Sequence, residues 1–225
     1  MQPQQPQYPP DELLNEPRKQ LRKQLRKELR KKLRQHRKSL STTQLRQAER
    51  AILSHCHHAP VFQAAQRIGL YLQSFNEIST TQLMMLLSGR GKQLYLPRIL
   101  SCTQTLTWVR VSLAQLYQRR FARHVLGMRE PYHQRGLPVD RLDVLLMPLV
   151  GVDRQGYRMG MGGGFYDRTL ALAPCKPFRI GLAHDFQQVP DTFPEPWDQR
   201  LDAVLSPKGW QFFAKSRVKA ALRFG

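Results

Sequence analysis

The sequence predicts an α/β domain, with a mainly parallel sheet covered by helices on both faces and a basic helix in front of it. Two observations support this prediction. Beyond Pro60, short apolar runs alternate with helical segments, as they do in chains built from strand–helix units. The longest run, residues 142–152, is apolar at nearly every position, which is typical of a strand buried on both faces. We therefore expect this run to be the central strand.

The N-terminal region is expected to contain a leader and a basic helix. Residues 1–17 are rich in Gln and Pro and lack the apolar segment of a secretory signal, so we expect a disordered leader. The α/β domain then occupies residues 18–225 and begins with a helix that ends near residue 40. Residues 18–38 contain twelve Lys and Arg against one acid, Glu28. A four-residue unit, Lys-x-Leu-Arg, recurs there and places one leucine per turn on a single face: Leu21, Leu25, Leu29 and Leu33.

The other elements follow in order along the chain. A second helix is expected over residues 44–57, with Thr42 or Thr43 as its N-cap, and a third over residues 80–88. Strands are predicted at residues 67–73, 93–99, 106–111, 142–152, 178–183 and 203–205. Pro97 is expected to close the second strand, and the alternating third strand suits a sheet edge. Ligands of such sheets bind beyond the carboxyl ends of the strands.

Composition narrows the classes of protein to consider. No apolar run approaches the roughly 20 residues of a membrane span, and the three scattered cysteines do not form a disulfide framework, so we expect a cytoplasmic protein. The cluster at residues 55–58 (His-Cys-His-His) lacks a second set of metal ligands, which favours an exposed polar turn. The net charge of +20 implies an anionic partner. A multiply charged small substrate and a nucleic acid both satisfy that charge.

Residues 158–168 (Arg-Met-Gly-Met-Gly-Gly-Gly-Phe-Tyr-Asp-Arg) are the segment best suited to chemistry. Glycines allow another molecule to approach the backbone, and successive N–H groups in such a turn can bind an anion. A phosphate site followed by a Mg²⁺ ligand, Asp167, is the simplest functional interpretation. The spacing excludes a dinucleotide-binding fingerprint, and no Gly-Lys-Ser/Thr is present for a Walker-type loop. A strand-to-helix turn without a ligand remains open.

Several separated motifs resemble the 5-formyltetrahydrofolate cyclo-ligase family. In chain order they are the basic Leu-Arg helix ending at residues 37–41, then residues 72–77, 96–98, 142–153, 158–168 and 197–204. Together they extend over residues 26–207, and the segment at residues 158–168 is the most specific. The resemblance implies a Rossmann-like three-layer α/β/α sandwich.

The resemblance also implies a reaction and its participants. Members of this family convert 5-formyltetrahydrofolate and ATP to 5,10-methenyltetrahydrofolate, ADP and phosphate. The formyl oxygen takes the γ-phosphoryl group, and the 10-nitrogen then closes the ring as phosphate leaves. Mg²⁺ would assist the phosphoryl transfer. We expect a monomer with no membrane partner and no specific nucleic-acid partner.

Candidate site residues follow from the family motifs. Asp167 and Asp198 are implied as metal ligands, although a helix cap and a surface turn are their structural alternatives. Implied ATP contacts are Gln24, Arg26, Lys27, Leu29, Arg30, Arg158, Met159, Gly160, Met161, Gly162, Gly163, Gly164, Phe165 and Tyr166. Implied folate contacts are Leu72, Glu77, Met161, Gly162, Gly163, Gly164 and Phe165. For Leu72, Met161 and Phe165, ordinary core packing is the alternative.

Two points of these assignments stay open. Tyr166 and Arg158 are the candidates for catalysis beside the phosphate. The helical register could shift by one turn because the Leu-Arg unit recurs, and Arg18, Lys19, Arg22 and Lys23 are expected to form a solvated extension.

Two other functions fit parts of the sequence. A nucleic-acid-binding protein would explain the basic helix but leaves residues 158–168 without a role. A sugar-phosphate or acyl-transfer enzyme on a related α/β scaffold would use the glycine-rich segment without ATP. ATP hydrolysis that requires 5-formyltetrahydrofolate would separate these possibilities.

Overall fold

The computed structural model describes residues 16–118, 120–124, 128–132 and 135–213. Residues 1–15 of the expected leader lie outside these ranges. The α-helices within them are α1 (Glu16–Lys38), α2 (Thr42–His57), α3 (Pro60–Ala64), α4 (Thr81–Gly89), α5 (Leu113–Tyr117) and α6 (Phe165–Ala171). The strands are β1 (Arg67–Gly69), β2 (Gln93–Leu100), β3 (Thr105–Val111), β4 (Ala122–Arg123), β5 (Arg129–Glu130), β6 (Val144–Pro148), β7 (Gly151–Val152), β8 (Arg158–Met159), β9 (Phe178–Leu182), β10 (Ala203–Ser206) and β11 (Gly209–Phe212).

One seven-stranded sheet organises the molecule, in the order β11-β10-β9-β6-β1-β2-β3. The five inner strands run parallel to one another, and β3 and β11 pair antiparallel at the two edges. β6 lies in the middle, as its apolar run predicts. The mainly parallel sheet and the edge position of β3 are therefore confirmed. Strands β4 and β5, and β7 and β8, form two further small antiparallel pairs.

The core lies on both faces of this sheet. Successive side chains of a strand point to opposite faces, so Val144 and Leu146 of β6 belong to one apolar cluster and Leu145 and Met147 to another. The first cluster includes side chains of α2, α3 and α4, and the second includes Leu170 of α6. These layers confirm the predicted α/β/α sandwich and explain why the sequence of β6 does not alternate.

Three strands differ from the prediction at their carboxyl ends. The run at residues 142–152 divides into β6, which ends at Pro148, and the short strand β7. β1 ends at Gly69 rather than at residue 73, although Leu70 and Tyr71 remain buried beyond it. Pro97 does not close β2, which continues to Leu100. The pairing of β2 with β1 ends at Tyr95. Proline at residue 97 therefore costs no hydrogen bond between these two strands, although it lacks an N–H group.

Local side-chain chemistry also corrects the start of α2. The N-cap is Ser41 rather than Thr42 or Thr43. The Ser41 hydroxyl accepts a hydrogen bond from the N–H of Gln44, while the Gln44 side chain accepts one from the N–H of Ser41. This reciprocal capping box satisfies two N–H groups at the helix start, which neither threonine does here.

Helix α1 is anchored beside the end of the central strand. Leu33 packs with Val150 and Met159, and Leu29 lies against the same cluster. A Cβ on Gly151 would come within 2.8 Å of the Leu33 side chain, so glycine permits this close approach. Only the C-terminal half of the leucine stripe is covered, since Leu21 is 57% exposed. No helix in the described part of the chain is both long and apolar enough to span a membrane.

Candidate active site

A cavity of about 690 Å³ opens at the carboxyl ends of the parallel strands. Pro148 and Leu149 at the end of β6 and Leu72 beyond β1 contribute to its wall. The remaining lining comes from α1, the rest of the segment after β1, β2, β3, the β4–β5 pair, the glycine-rich segment with α6, and the loop before β10. The cavity is therefore at the edge of the sheet where the parallel topology predicts a ligand.

The glycine-rich segment lies between β8 and α6 and forms one side of the cavity. Gly162 and Gly164 have φ angles of 108° and 65°, which side chains other than glycine rarely adopt. A Cβ on Gly163 would come within 2.7 Å of the Phe165 ring, whereas the space beside Gly162 is open. Glycine at residue 162 thus leaves the backbone accessible from the cavity.

Two arginines of α1 reach into the cavity. The Nε of Arg30 donates a hydrogen bond to the carbonyl of Gly160 at 3.1 Å. The Nη1 of Arg26 lies 2.6 Å from the Oδ2 of Asp198 and also donates to the carbonyl of Phe193. Both arginines are partly buried, and both line the cavity. The basic helix is therefore part of the cavity wall.

The same helix corrects one expectation about its first turns. Arg22 is not a solvated residue: it is partly buried, and its Nη1 lies 3.4 Å from the carboxylate of Glu195, which lines the cavity. Arg18, Lys19 and Lys23 are exposed, as expected of a solvated extension.

Four of the predicted ATP contacts lie away from the cavity. Gln24 and Lys27 are exposed, and Gln24 donates to Glu28 one turn along α1. Leu29 faces a second, smaller cavity of about 410 Å³, and Met159 is fully buried beside Leu33. Helical geometry explains the three residues of α1, because each lies one or two positions from Arg26 or Arg30 and so points to another face. Met159 belongs to β8 and packs into the core instead.

The two predicted metal ligands lie close together. The N–H of Gln199, which follows Asp198, donates to the Oδ1 of Asp167 at 3.2 Å. Asp198 is buried rather than part of a surface turn, and it accepts the N–H of Glu195. Asp167 accepts two hydrogen bonds from the Nη2 of Arg158, at 3.1 and 3.2 Å, instead of capping α6. Each carboxylate is thus paired with an arginine.

These carboxylates fit a magnesium ion better than a metal held by protein alone. No group of three or more His, Cys, Asp or Glu suited to a metal occurs among the described residues. Mg²⁺ takes one or two carboxylates and fills its other positions with water and substrate phosphates. The arrangement of Asp167 and Asp198 meets that requirement, and magnesium stays a prediction.

Apolar side chains form another part of the cavity wall. Large exposed surfaces belong to Phe75, Met161 and Trp197, which are 50%, 43% and 62% exposed. Leu72 is partly buried and faces the cavity, and Phe165 packs partly against the core behind α6. Core packing therefore does not account for Met161. Exposed apolar surface concentrated in one cavity is typical of a ligand site.

Glu77 and Tyr166 are partly buried ionisable groups in the cavity wall. Burial raises the pKa of Glu77, although Arg37 nearby and the N–H of Ser74 both act to lower it. Burial also raises the pKa of the Tyr166 phenol well above its ordinary value, against the opposing charge of Arg158. Tyr166 therefore keeps its proton at neutral pH and is suited to donate a hydrogen bond rather than to act as a base.

Sequence reasoning missed Arg37, Phe75 and Trp197. Arg37 is the fifth member of the series that runs through the leucines of α1 at four-residue intervals. A cation on the buried face of an amphipathic helix is a recognisable signal of a buried arginine. No comparable pattern in the sequence distinguishes Phe75 or Trp197 from other loop aromatics.

Comparisons with known proteins relate this chain to one family. Residues 22–207 match the model of the 5-formyltetrahydrofolate cyclo-ligase family. The chain is 37% identical to the 5-formyltetrahydrofolate cyclo-ligase of Haemophilus influenzae, over 75% of this chain and 90% of that protein. It is 34% identical to that of Escherichia coli K12, over 79% of this chain and 98% of that protein.

Solved structures show the same fold. The 5,10-methenyltetrahydrofolate synthetase of Aquifex aeolicus superposes with a TM-score of 0.73 at 27% identity, over 85% of this chain and 94% of that one. The synthetase of Mycoplasma pneumoniae gives a TM-score of 0.66 at 24% identity, over 81% and 98%. On the family match and the two sequence relatives together, this chain belongs to the 5-formyltetrahydrofolate cyclo-ligase family.

Proposed function

We propose that the protein closes 5-formyltetrahydrofolate to 5,10-methenyltetrahydrofolate at the expense of ATP, with Mg²⁺. One observation carries this proposal: the same cavity is lined by cationic side chains, by apolar side chains and by the glycine-rich segment. An enzyme that joins a triphosphate to a flat, largely apolar folate needs both surfaces within reach of each other.

The cationic wall suits the phosphates of ATP. Arg30 forms no ion pair with a carboxylate among the described residues, so its charge is available to an anion. Arg158 is buried, and its Nε lacks a hydrogen-bond partner in the same part of the structure. A buried donor without a partner costs free energy, which an incoming phosphate oxygen would recover. Gly162 leaves the neighbouring backbone open for the same ligand.

Asp167 and Asp198 are the residues that would hold magnesium. When bound, the ion would neutralise charge on the phosphate oxygens during transfer. For either carboxylate to contact the ion, one of its oxygens must give up its contact with the paired arginine. Arg26 and Arg158 both lie where they can exchange a carboxylate for a phosphate. Charge in the cavity is then redistributed without exposing an unpaired buried carboxylate.

The apolar wall suits the folate. Phe75, Met161 and Trp197 offer flat or flexible surfaces to aromatic and reduced rings. Glu77 supplies a carboxylate at the edge of this wall, where it can accept hydrogen bonds from ring N–H groups. Leu72 limits the space beside it.

The proposed chemistry proceeds in two steps. The formyl oxygen attacks the γ-phosphorus, the bond to the bridging oxygen breaks, and ADP leaves. The formyl carbon, now carrying a phosphate leaving group, is attacked by the 10-nitrogen, which loses its proton as phosphate departs. The residues contribute mainly position and charge: Arg30 and Arg158 hold the phosphates, while Tyr166 donates a hydrogen bond. We also expect the protein to act as a monomer in the cytoplasm, which remains a prediction.

A direct assay tests the proposed function. Purified protein with 5-formyltetrahydrofolate, ATP and Mg²⁺ should produce the near-ultraviolet absorbance of the methenyl product. Omission of ATP or addition of a chelator should stop product formation. If ATP were consumed without the folate, or the folate closed equally well without ATP, the proposal would be wrong. Protection of an RNA or a DNA with no folate-dependent turnover would instead favour the nucleic-acid alternative.

A further inference from the structure

Arg37 is an almost fully buried cation outside the set of predicted site residues. Its side chain, in the last turn of α1, is 2% exposed. A guanidinium in that position is costly unless hydrogen bonds and an opposite charge compensate its lost hydration. The partners that compensate it therefore indicate what the residue is for.

Three partners of Arg37 come from three different segments. Its Nη1 donates to the carbonyl of Leu149 at 3.1 Å and lies 3.6 Å from the Oε1 of Glu77. Its Nη2 lies 4.0 Å from the sulfur of Met161. Leu149, Glu77 and Met161 all line the cavity, whereas Arg37 itself does not. Arg37 therefore acts on the cavity through the residues that it holds.

The turn that carries Glu77 is held by the same residue. Phe75 and Asn76 have φ angles of 51° and 59°, a left-handed conformation that is unfavourable for side chains such as Phe. The side-chain amide of Asn76 donates to the carbonyl of Arg37 at 3.2 Å, and the N–H of Ser74 donates to the Oε2 of Glu77 at 3.0 Å. The turn is thus held through the side chain of Asn76 and through the carboxylate of Glu77.

We propose that Arg37 is a positioning residue that holds Glu77 in place, and in its charged form, for the folate. This inference rests on the function proposed above. One oxygen of Glu77 faces Arg37 and the other accepts the Ser74 N–H, and each oxygen retains capacity for a further hydrogen bond. The ion pair at 3.6 Å is longer than a charge-assisted hydrogen bond, so it leaves room for a ligand donor.

The charged and titratable groups around Glu77 make its ionisation depend on Arg37. Arg37 comes from α1, Tyr71 from the segment after β1, and Tyr166 from α6. His184 approaches from behind, where its ring contacts the carbonyl of Asn76, and burial lowers the pKa of its imidazole. Of these groups, Arg37 is the cation that lowers the pKa of Glu77 against the effect of burial. Without Arg37, more of Glu77 would be protonated at neutral pH.

A double-mutant cycle tests the inference. Binding of 5-formyltetrahydrofolate is measured by calorimetry in the wild type, Arg37→Gln, Glu77→Gln and the double variant. The pH runs from about 6 to about 9, a range above the ordinary pKa of a glutamate, where a raised pKa would affect binding. Lys38→Gln is the matched control, because it removes the same charge from an exposed neighbour. The KM for ATP is measured for each variant, since a general loss of structure would change it too.

We expect Arg37→Gln to weaken folate binding about tenfold at neutral pH, with recovery as the pH rises. The KM for ATP should change little, and the double variant should bind folate no worse than Glu77→Gln. Additive losses in the cycle, or a loss that is equal at every pH, would overturn the role of Arg37. If Arg37→Gln fails to fold, the double variant, which leaves no unpaired buried carboxylate, still decides the question. Failure of the wild type to bind the folate would refute the proposed function instead.

Discussion

Replacement of Arg30 by alanine isolates the cationic wall of the cavity. The guanidinium is partly buried. Its pKa is lowered mainly by burial and, to a smaller extent, by the positive charge of Arg26. It stays charged at neutral pH, and among the described residues it donates a hydrogen bond to a neutral carbonyl, that of Gly160. The charge of Arg30 is therefore better compensated when a phosphate is bound than when the cavity is empty.

The magnitude of the effect follows from that difference. A hydrogen bond to a charged group contributes about 1.5–3 kcal/mol. Because Arg30 is only partly buried, water screens the interaction, and the lower part of that range, about 1.5–2 kcal/mol, applies. This loss corresponds to an increase of about ten- to thirtyfold in the KM for ATP. The bond to Gly160 exists without a ligand, so its loss affects stability rather than KM.

Steady-state kinetics with both substrates varied would measure this increase. Lys31→Ala serves as the control, since it removes an adjacent but exposed charge of the same helix. Arg30→Lys should recover part of the affinity because it keeps the charge but not the fork of donors. An unchanged KM for ATP in folded Arg30→Ala would show that α1 is not part of the nucleotide site. A defect in Arg26→Ala alone would move the nucleotide contact by one helical turn.

Three further predictions concern the carboxylates and the glycine-rich segment. Asp167→Ala should lose Mg²⁺-dependent turnover by orders of magnitude in a protein that remains folded by circular dichroism, and normal activity at saturating Mg²⁺ would remove its role as a ligand. Gly162→Val should weaken binding of both substrates in calorimetry, because its φ of 108° is strained for valine and the side chain would enter open space. Gly89→Ala, which also meets no neighbour, is its control. The kcat/KM for folate should fall as the pH drops through the raised pKa of Glu77, since protonation removes its charge, and Glu77→Gln should abolish that dependence.

Much of the fold was predictable because its signals are local. The apolar run at residues 142–152 predicted a central strand because both its faces are covered, and the order of strands and helices predicted a parallel sheet. The missing details depend on tertiary pairing. Strand β2 passes through Pro97 because β1 has already ended beside it, and β11 was missed because its short sequence gains its structure from pairing with β10.

Some residues of the candidate site were predictable from the sequence, and others were not. The glycines and Asp167 share one segment, so spacing alone brought them together. Asp198 was assigned only through family resemblance, since nothing local predicts that it pairs with Arg26 across the fold. Too many ATP contacts were predicted in α1. Sequence neighbours of Arg26 and Arg30 were included, although the helix turns them away from the cavity.

The central claim is that ATP activates the formyl oxygen, and an isotope label tests it most directly. The protein is given 5-formyltetrahydrofolate with ¹⁸O in the formyl group, together with ATP and Mg²⁺, and the released phosphate is analysed by mass spectrometry. Transfer of the phosphoryl group to the formyl oxygen predicts one ¹⁸O atom in the phosphate formed with each methenyl product. Formation of the same product with unlabelled phosphate, and the label in water, would contradict the mechanism.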